Sequence, residues 1–402
     1  MTDTAKRDDT AKRDETGTGP MTRADHTAAM ADYIGAGVER ARRAGNRGPL
    51  RMVDGVLDAS FLEPFTEHGF YVFEGVIDDT ELAELRADAA EFIGRAPVAP
   101  GADLDAEGRP ALGRDWAIDP YLLSRPLADP WGGTDLLGGR HQTKMTEPAP
   151  DADAPEWVPF LLFGMCRAMP SGLRLYGHPG LLAIAAAING DDFVPYNDAT
   201  FVKPPGVGGS VSWHQDGVTH WDNPNWDPGI HGFNFQVQLY RSTPANGLWI
   251  VPGSHRLGHI DIRARVAANG GSDLLPDAVP LFCEAGDVTI VNRQMLHASF
   301  ANSSPDPRIS LTFGFHRRSS VLGAPAALRI KATGPDNVVY DEERIFRRST
   351  VIPLAVDARH RHRPDEPRFR YEPLADRADE FRYDEATADA VLRDYNVNDL
   401  AI

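Results

Sequence analysis

Between Thr200 and His316 the chain repeats one pattern, and no other feature limits the fold so sharply. Short runs rich in β-branched and aromatic residues, separated by Pro and Gly turns, fall near 198–203, 211–217, 233–241, 247–252, 279–283, 287–293, 296–300 and 307–316. Eight strands at this spacing predict a sandwich or barrel, and their number suggests a jelly roll. Successive side chains of a strand point to opposite faces, so alternation carries further information. Phe235, Val237 and Leu239 share one face of their strand, and Asn234, Gln236, Gln238 and Tyr240 share the other. Arg308, Ser310 and Thr312 alternate in the same way with Ile309, Leu311 and Phe313. A plain sandwich turns its apolar rows inward and its polar rows to water. If helices cover the outside of the sheet, the polar rows line a wet cavity instead. Periodicity alone leaves both arrangements open.

The rest of the chain supplies candidate helices. One is expected from Ala28 through Arg43, and another from Glu81 to Ile93, capped by Asp79-Thr80. Two apolar helices are expected at 156–169 and 179–189, and Gly69–Phe73 reads as a strand. Residues 1–28 are polar and repeat Asp3–Asp8 as Asp9–Asp14, which predicts a disordered tail. Residues 95–150 are rich in Pro, Gly and Asp and read as a long irregular insertion. Ordered loops of that length usually serve a site, so a lid or substrate wall is expected there. The folded domain is accordingly expected over 29–318, followed by a polar C-terminal extension over 319–402 with a short helix from Asp384 to Tyr395.

Charge narrows the partners. The 402 residues include 58 acidic and 41 basic side chains, a net charge of −17. Such a surface repels phosphate backbones and anionic lipid, which argues against nucleic acid and membranes. Cys166 and Cys283, each in an apolar stretch, are expected to be buried free thiols, which suits a reducing cytosol. Met1-Thr2-Asp3-Thr4 runs into charge with no apolar signal segment, and Leu181–Ile188 is too short to span a bilayer. A soluble, cytoplasmic protein is expected; homo-oligomerisation is left open.

Within the strand region, Trp213-His214-Gln215-Asp216 brings chemistry. On an extended strand His214 and Asp216 share a face. An imidazole and a carboxylate there are two ligands of the 2-His-1-carboxylate triad that binds non-haem Fe(II). His297 is the best-placed third ligand, followed eleven residues on by Arg308. Each piece alone has a plainer explanation: a surface HxD pair, a packed core histidine, an arginine on a surface carboxylate. Together they point to a metal.

These pieces occur in a fixed order: Gly69–Phe73, Phe201–Gly206, Trp213–Asp216, Asn246–His255, Ala285–Val288, and His297 through Asn302 to Arg308. Over about residues 60–318 the chain thus resembles the phytanoyl-CoA hydroxylase-like (PhyH) family of Fe(II)/2-oxoglutarate-dependent dioxygenases. The resemblance implies a mainly β fold with flanking helices around a double-stranded β-helix (a jelly-roll, cupin-like core). It also implies His214, Asp216 and His297 as ligands of Fe(II), with 2-oxoglutarate and O2 as cosubstrates. Arg308 would fork onto the distal carboxylate of 2-oxoglutarate. Ser299 and Ser310 would add hydroxyls there, and Gln236 and Lys144 match further cosubstrate neighbours. The implied activity is hydroxylation of an unactivated C–H bond in a small molecule, with release of succinate and CO2. Asp216 stands where related halogenases carry Gly or Ala, which favours hydroxylation over chlorination. Desaturation, ring closure and epimerisation use the same centre. A catalytically silent jelly-roll binding module is the alternative of a different class, opposed by the four residues His214, Asp216, His297 and Arg308 occurring together. No basic patch for a CoA phosphate stands out near the motifs.

Other conspicuous residues receive plain readings. His255 is expected to be a structural turn residue, and Arg359–Arg363 a solvated charge run. Gly206–Gly209 lacks the Lys-Ser/Thr of a phosphate loop. Trp221, Trp226 and Phe233 would either stack a substrate or pack a loop over the metal.

Overall fold

In the computed structural model residues 20–53, 55–216, 232–324, 339–393 and 395 are described, residue 197 by its backbone only. The strands in chain order are β1 (Arg47–Pro49), β2 (Met52–Val53), β3 (Val56–Leu57), β4 (Phe70–Glu74), β5 (Tyr121–Ser124), β6 (Val158–Phe163), β7 (Val194–Lys203), β8 (Val211–His214), β9 (Gly232–Gln238), β10 (Leu248–Ile250), β11 (Val279–Leu281), β12 (Val288–Asn292), β13 (His297–Ser299) and β14 (Arg308–His316). They form a large sheet ordered β1-β4-β12-β9-β14-β7-β6-β5, a smaller one ordered β11-β10-β13-β8, and a β2–β3 hairpin. The large sheet is mixed, because β1 pairs with β4 in parallel and its other pairs are antiparallel. All eight strands expected from the alternation are present, β7 starting four residues early at Val194.

Helices decide which face of the large sheet is wet. Phe233, Phe235 and Val237 of β9 and Leu311, Phe313 and Phe315 of β14 are fully buried in one core. That core is shared with helices Asp79–Gly94, Pro170–Tyr176, Pro179–Asn189 and Val351–His362. The opposite rows, Asn234 and Gln236 of β9 and Arg308 and Thr312 of β14, line a cavity together with Leu248, His297 and Ser299 of the small sheet. The polar rows therefore face inward, as expected for a sheet with helices outside it.

The outer side of the small sheet is closed by helix Arg23–Ala44. Thr22 caps it by accepting from the Asp25 amide while Asp25 accepts from the Thr22 amide. Tyr33 stacks on Trp249 at 4.5 Å. Gly37 lies so close that an added Cβ would fall 2.5 Å from the Trp249 ring, so only glycine allows this approach. Trp213 and Trp249 are both fully buried here; truncating such a side chain typically costs about 3–5 kcal/mol.

Six expectations change. Tyr121–Ser124, within the stretch read as irregular, is a strand paired with β6, and Asp78 rather than Asp79-Thr80 caps helix Asp79–Gly94 by accepting from the Glu81 amide. Helix Arg23–Ala44 begins five residues before Ala28, and Arg23 donates to the Ser303 carbonyl, so residues 23–28 are folded. Of the expected tail, residues 1–19 lie outside the described residues. The stretch 156–169 is not one helix: Val158–Phe163 pairs with β5 and β7, and only Met165–Ala168 is helical. Short apolar runs suit either state, and tertiary pairing decided this one. The C-terminal extension is not peripheral, since Val351, Ile352, Leu354 and Ala355 are fully buried in the main core. Its basic run is not wholly solvated either. Arg359 is 3% exposed and pairs with Glu81 at 2.7 and 3.0 Å and with Glu366 at 2.6 and 3.0 Å. The helical period turns Arg359 inward and leaves Arg361 and His362 on the outside, paired with Asp357 and Glu84.

Candidate metal centre and cosubstrate pocket

Antiparallel pairing assembles the centre. His297 of β13 lies opposite His214 of β8 in register, and their ring centroids are 4.0 Å apart. Asp216 follows two residues after His214, and its Oδ1 sits 3.7 Å from His214 Nε2. One ligand atom from each of the three residues falls within 4.8 Å of the other two.

Both imidazoles are held in the tautomer a metal needs. His214 Nδ1 is 2.8 Å from the Ser212 carbonyl, and His297 Nδ1 is 2.8 Å from the Met295 carbonyl. A carbonyl only accepts, so each Nδ1 carries the proton and each Nε2 keeps its lone pair for a cation. Burial pushes both histidines down from their ordinary pKa, His214 well down, with the neighbouring imidazole adding to the effect at His214. Burial pushes the Asp216 carboxyl up, but Arg140 and His297 outweigh it, and the net shift is downward. Two neutral imidazoles and one carboxylate, His214 and Asp216 buried and His297 half-buried, fit a divalent ion.

The residues expected to bind the cosubstrate meet on the adjoining wall. Arg308 is 2% exposed, donates from Nη2 to Gln236 Oε1 at 2.8 Å, and has an Nε without a partner. Burial pushes it down to about 10. A buried guanidinium with a spare donor and, among the described residues, no carboxylate bonded to it fits a dicarboxylate ligand. Ser299 lines the same cavity and donates to the Gly247 carbonyl at 3.1 Å. Ser310 is fully buried on the Arg308 row, its hydroxyl unpartnered. Gln236, Ser299 and Arg308 are thus brought together, with Ser310 beside them.

Lys144 is not part of this group. Its side chain is 57% exposed and pairs with Glu147 at 3.1 Å. It sits in an irregular segment where spacing does not predict direction. The lysine near the pocket is Lys203, fully buried on β7 opposite Arg308 in register and donating to Ser299 Oγ and the Phe300 carbonyl. Its place in the Phe201–Gly206 motif was the available signal. Asn234, also missed, donates to Asp216 Oδ2 at 3.2 Å, two residues before Gln236 on the same polar row. Phe233 is a core residue, packed edge-on against Phe235 at 4.8 Å. His255 is structural, as expected, with Nε2 3.0 Å from the Thr66 carbonyl. Trp221 and Trp226 lie outside the described residues.

The 95–150 insertion reaches the centre through residues that spacing could not single out. Arg140 Nη1 donates to Asp216 Oδ1 at 2.8 Å, and His141 stacks on His214 at 4.2 Å. Trp131 and Leu137 extend the cavity wall. Burial pushes His141 down to about 2, so it stays neutral beside the ligand ring.

The model of the family described as phytanoyl-CoA dioxygenase (PhyH) matches residues 65–310. Phytanoyl-CoA dioxygenase 1 of Oryza sativa subsp. japonica is 32% identical over 117 residues, which are 27% of this chain and 40% of that protein. Ectoine dioxygenase of Halomonas elongata is 28% identical over 174 residues, 38% of this chain and 52% of that protein. The chain therefore matches about half or less of the length of these relatives. Among solved structures, EctD from S. alaskensis with 2-oxoglutarate and 5-hydroxyectoine is similar with a TM-score of 0.46 at 20% identity, covering 73% of this chain and 90% of that one.

Proposed function

This chain belongs to the phytanoyl-CoA dioxygenase (PhyH) family, and from that premise we propose that it is an Fe(II)/2-oxoglutarate-dependent oxygenase that hydroxylates an unactivated C–H bond of a small molecule. The observation that carries the reading is the convergence of His214, Asp216 and His297 within 4.8 Å, with both Nδ1 atoms against carbonyls. We read the two sheets flanking the cavity as a double-stranded β-helix, and the C-terminal helices as part of the same domain because they share its core.

His214, Asp216 and His297 would hold the ion, and Arg308, Gln236, Ser299 and Ser310 the cosubstrate. When bound, iron with 2-oxoglutarate and O2 supplies oxidation of a C–H bond, coupled to release of succinate and CO2. The chain supplies position and exclusion of water. Arg308 anchors one end of the cosubstrate by a two-pronged contact. Asn234 holds Oδ2 of Asp216 and Arg140 holds Oδ1, which lies 3.7 Å from His214 Nε2. Leu161, Phe163, Phe201, Leu248, Trp131 and Leu137 form an apolar wall that keeps bulk water from the reacting carbon. No described helix is long and apolar enough to cross a membrane, and Cys166 and Cys283 are buried and free, which supports a reducing, cytoplasmic setting.

The test is anaerobic reconstitution with Fe(II) and 2-oxoglutarate, followed by O2 and a small-molecule panel scored by succinate release and product mass. Substrate-dependent succinate with a product gain of one oxygen is expected. Absence of Fe(II) and 2-oxoglutarate binding would return the chain to the class of binding modules.

A further inference from the structure

We propose that Arg140 recognises a carboxylate on the substrate, so that the enzyme takes carboxylic acids with an apolar body and oxidises them within a few bonds of the acid group. This deepens the oxygenase reading and rests on it. Arg140 lines the cavity with its side chain 15% exposed. Only Nη1 is engaged, by Asp216 at 2.8 Å. The Nε–Nη2 edge makes no hydrogen bond to the described residues, and Nε is buried. That edge has the side-on geometry that receives a carboxylate with two parallel hydrogen bonds. Nη1 can stay on Asp216 while the other edge binds.

The backbone beneath Arg140 is held in place. His141 stacks on His214 at 4.2 Å and 19°, and lies 5.3 Å from Trp131. The guanidinium is thereby kept beside a metal ligand, so a carboxylate on its free edge places the neighbouring carbons next to the metal. Charge points the same way. Among the described residues lining the cavity the charged groups are Arg140, Arg308 and Asp216. The loaded site's two positive charges on iron and one on Arg308 offset Asp216 and the two carboxylates of 2-oxoglutarate. Among the described residues Arg140 then remains as the cation without a balancing charge, facing a wall of Trp131, Leu137, Leu161 and Phe163. Closing a neutral substrate over it would bury an unsatisfied guanidinium, which is costly; an anionic one satisfies it.

The experiment uses the full chain loaded with Fe(II) and 2-oxoglutarate under anaerobic conditions, so that the Arg308 position is already filled. Binding of 3-phenylpropanoate and of its neutral isostere 3-phenylpropanamide is measured by calorimetry. The acid is expected to bind roughly ten- to a hundred-fold tighter, the span of one charge-assisted contact. Arg140→Gln should erase the preference and Arg140→Lys should restore part of it, with the melting temperature of each variant reported as a check of folding. Absence of acid preference in the wild type, including failure of both probes to bind, overturns the proposal, as does acid preference retained in Arg140→Gln. Binding of 2-oxoglutarate in the same samples separates the two readings. Wild-type protein that does not bind it refutes the oxygenase reading and this proposal together, whereas normal binding without acid preference refutes this proposal alone.

Discussion

In the proposed reading Arg308 is the cation that receives 2-oxoglutarate, and its burial sets measurable consequences. The guanidinium is 2% exposed, has Gln236 as its side-chain partner, and is pushed from 12.5 to about 10 by burial. That drop corresponds to roughly 3 kcal/mol of destabilisation of the ligand-free fold at neutral pH. The sign matters: the folded pKa lies below the unfolded one, so stability is regained only as pH rises through about 10, and this group adds no pH dependence between 6 and 9. Arg308→Met removes the buried charge but leaves Gln236 Oε1 without its donor, a cost of about 1–3 kcal/mol. The two effects nearly cancel, so the ligand-free variant should unfold within about 2 kcal/mol of wild type. Its affinity for 2-oxoglutarate should instead fall by on the order of 2–5 kcal/mol, roughly thirty- to several-thousand-fold. Arg308→Lys keeps the charge and loses one prong, for a loss of roughly ten- to a hundred-fold. The assays are urea unfolding of metal-free protein and calorimetric titration of 2-oxoglutarate into Mn(II)-loaded protein. Arg308→Met binding 2-oxoglutarate within threefold of wild type would refute the assignment. Loss of more than about 4 kcal/mol of ligand-free stability would show the guanidinium to be structural.

Three further outcomes are expected. His214→Ala and His297→Ala should each abolish tight Fe(II) binding in equilibrium dialysis while circular dichroism stays native; one ion per chain at wild-type affinity would exclude that residue as a ligand. His178, whose Nδ1 accepts from the Gly180 amide at 3.1 Å, is pushed by burial to about 3; the unfolded chain binds the extra proton below about 6.5, so this residue costs about 1.4 kcal/mol per pH unit as pH falls toward 3. In His178→Asn, which keeps a capping acceptor, the urea midpoints at pH 7 and pH 5 should therefore lie closer together than in wild type. Arg359→Met leaves Glu81, which is 4% exposed, with Arg363 at 3.7 Å as its remaining described cation and should destabilise by about 3–5 kcal/mol, with Glu81→Leu in the same chain recovering most of it; equal instability of single and double variants would mean the pair is not the cause.

Much of this site was legible because it stands on strands. A period of two puts His214 with Asp216 on one face, and Asn234 with Gln236 and Arg308 with Ser310 and Thr312 on others. Antiparallel pairing then brings those faces together. The same rule carried Lys203, which shares the Arg308 register, although only its motif hinted at a role. Where periodicity is short or mixed, the reading slipped. Val158–Phe163 has the apolar composition of a helix, and its partners β5 and β7 made it a strand. Val351–Ala358 is strongly apolar, but the basic run at its end masked a helix whose inner face buries Arg359 against Glu81.

The insertion shows where such inference stops and why. Between 136 and 144 each side chain's direction depends on individual backbone angles, not on a period. Leu137 has φ 51°, Gly138 68° and Gly139 71°, a reversal after which Arg140 and His141 turn to Asp216 and His214 while Lys144 turns to solvent. A left-handed leucine is held at a cost of about 1–3 kcal/mol, so surrounding contacts must fix it. The sheets and the insertion therefore divide the work. Strand residues hold groups that every substrate would share, and they sit on the most constrained backbone. Under the proposed reading Trp131, Leu137 and Arg140 face the substrate, and they sit on an irregular segment tied to the sheets through Asp129, which accepts from the Ser212 amide, and Arg140, which donates to Asp216. On that reading, substrate selection is shared between that segment and the strand residues Leu161, Phe163, Phe201 and Leu248 of the same wall.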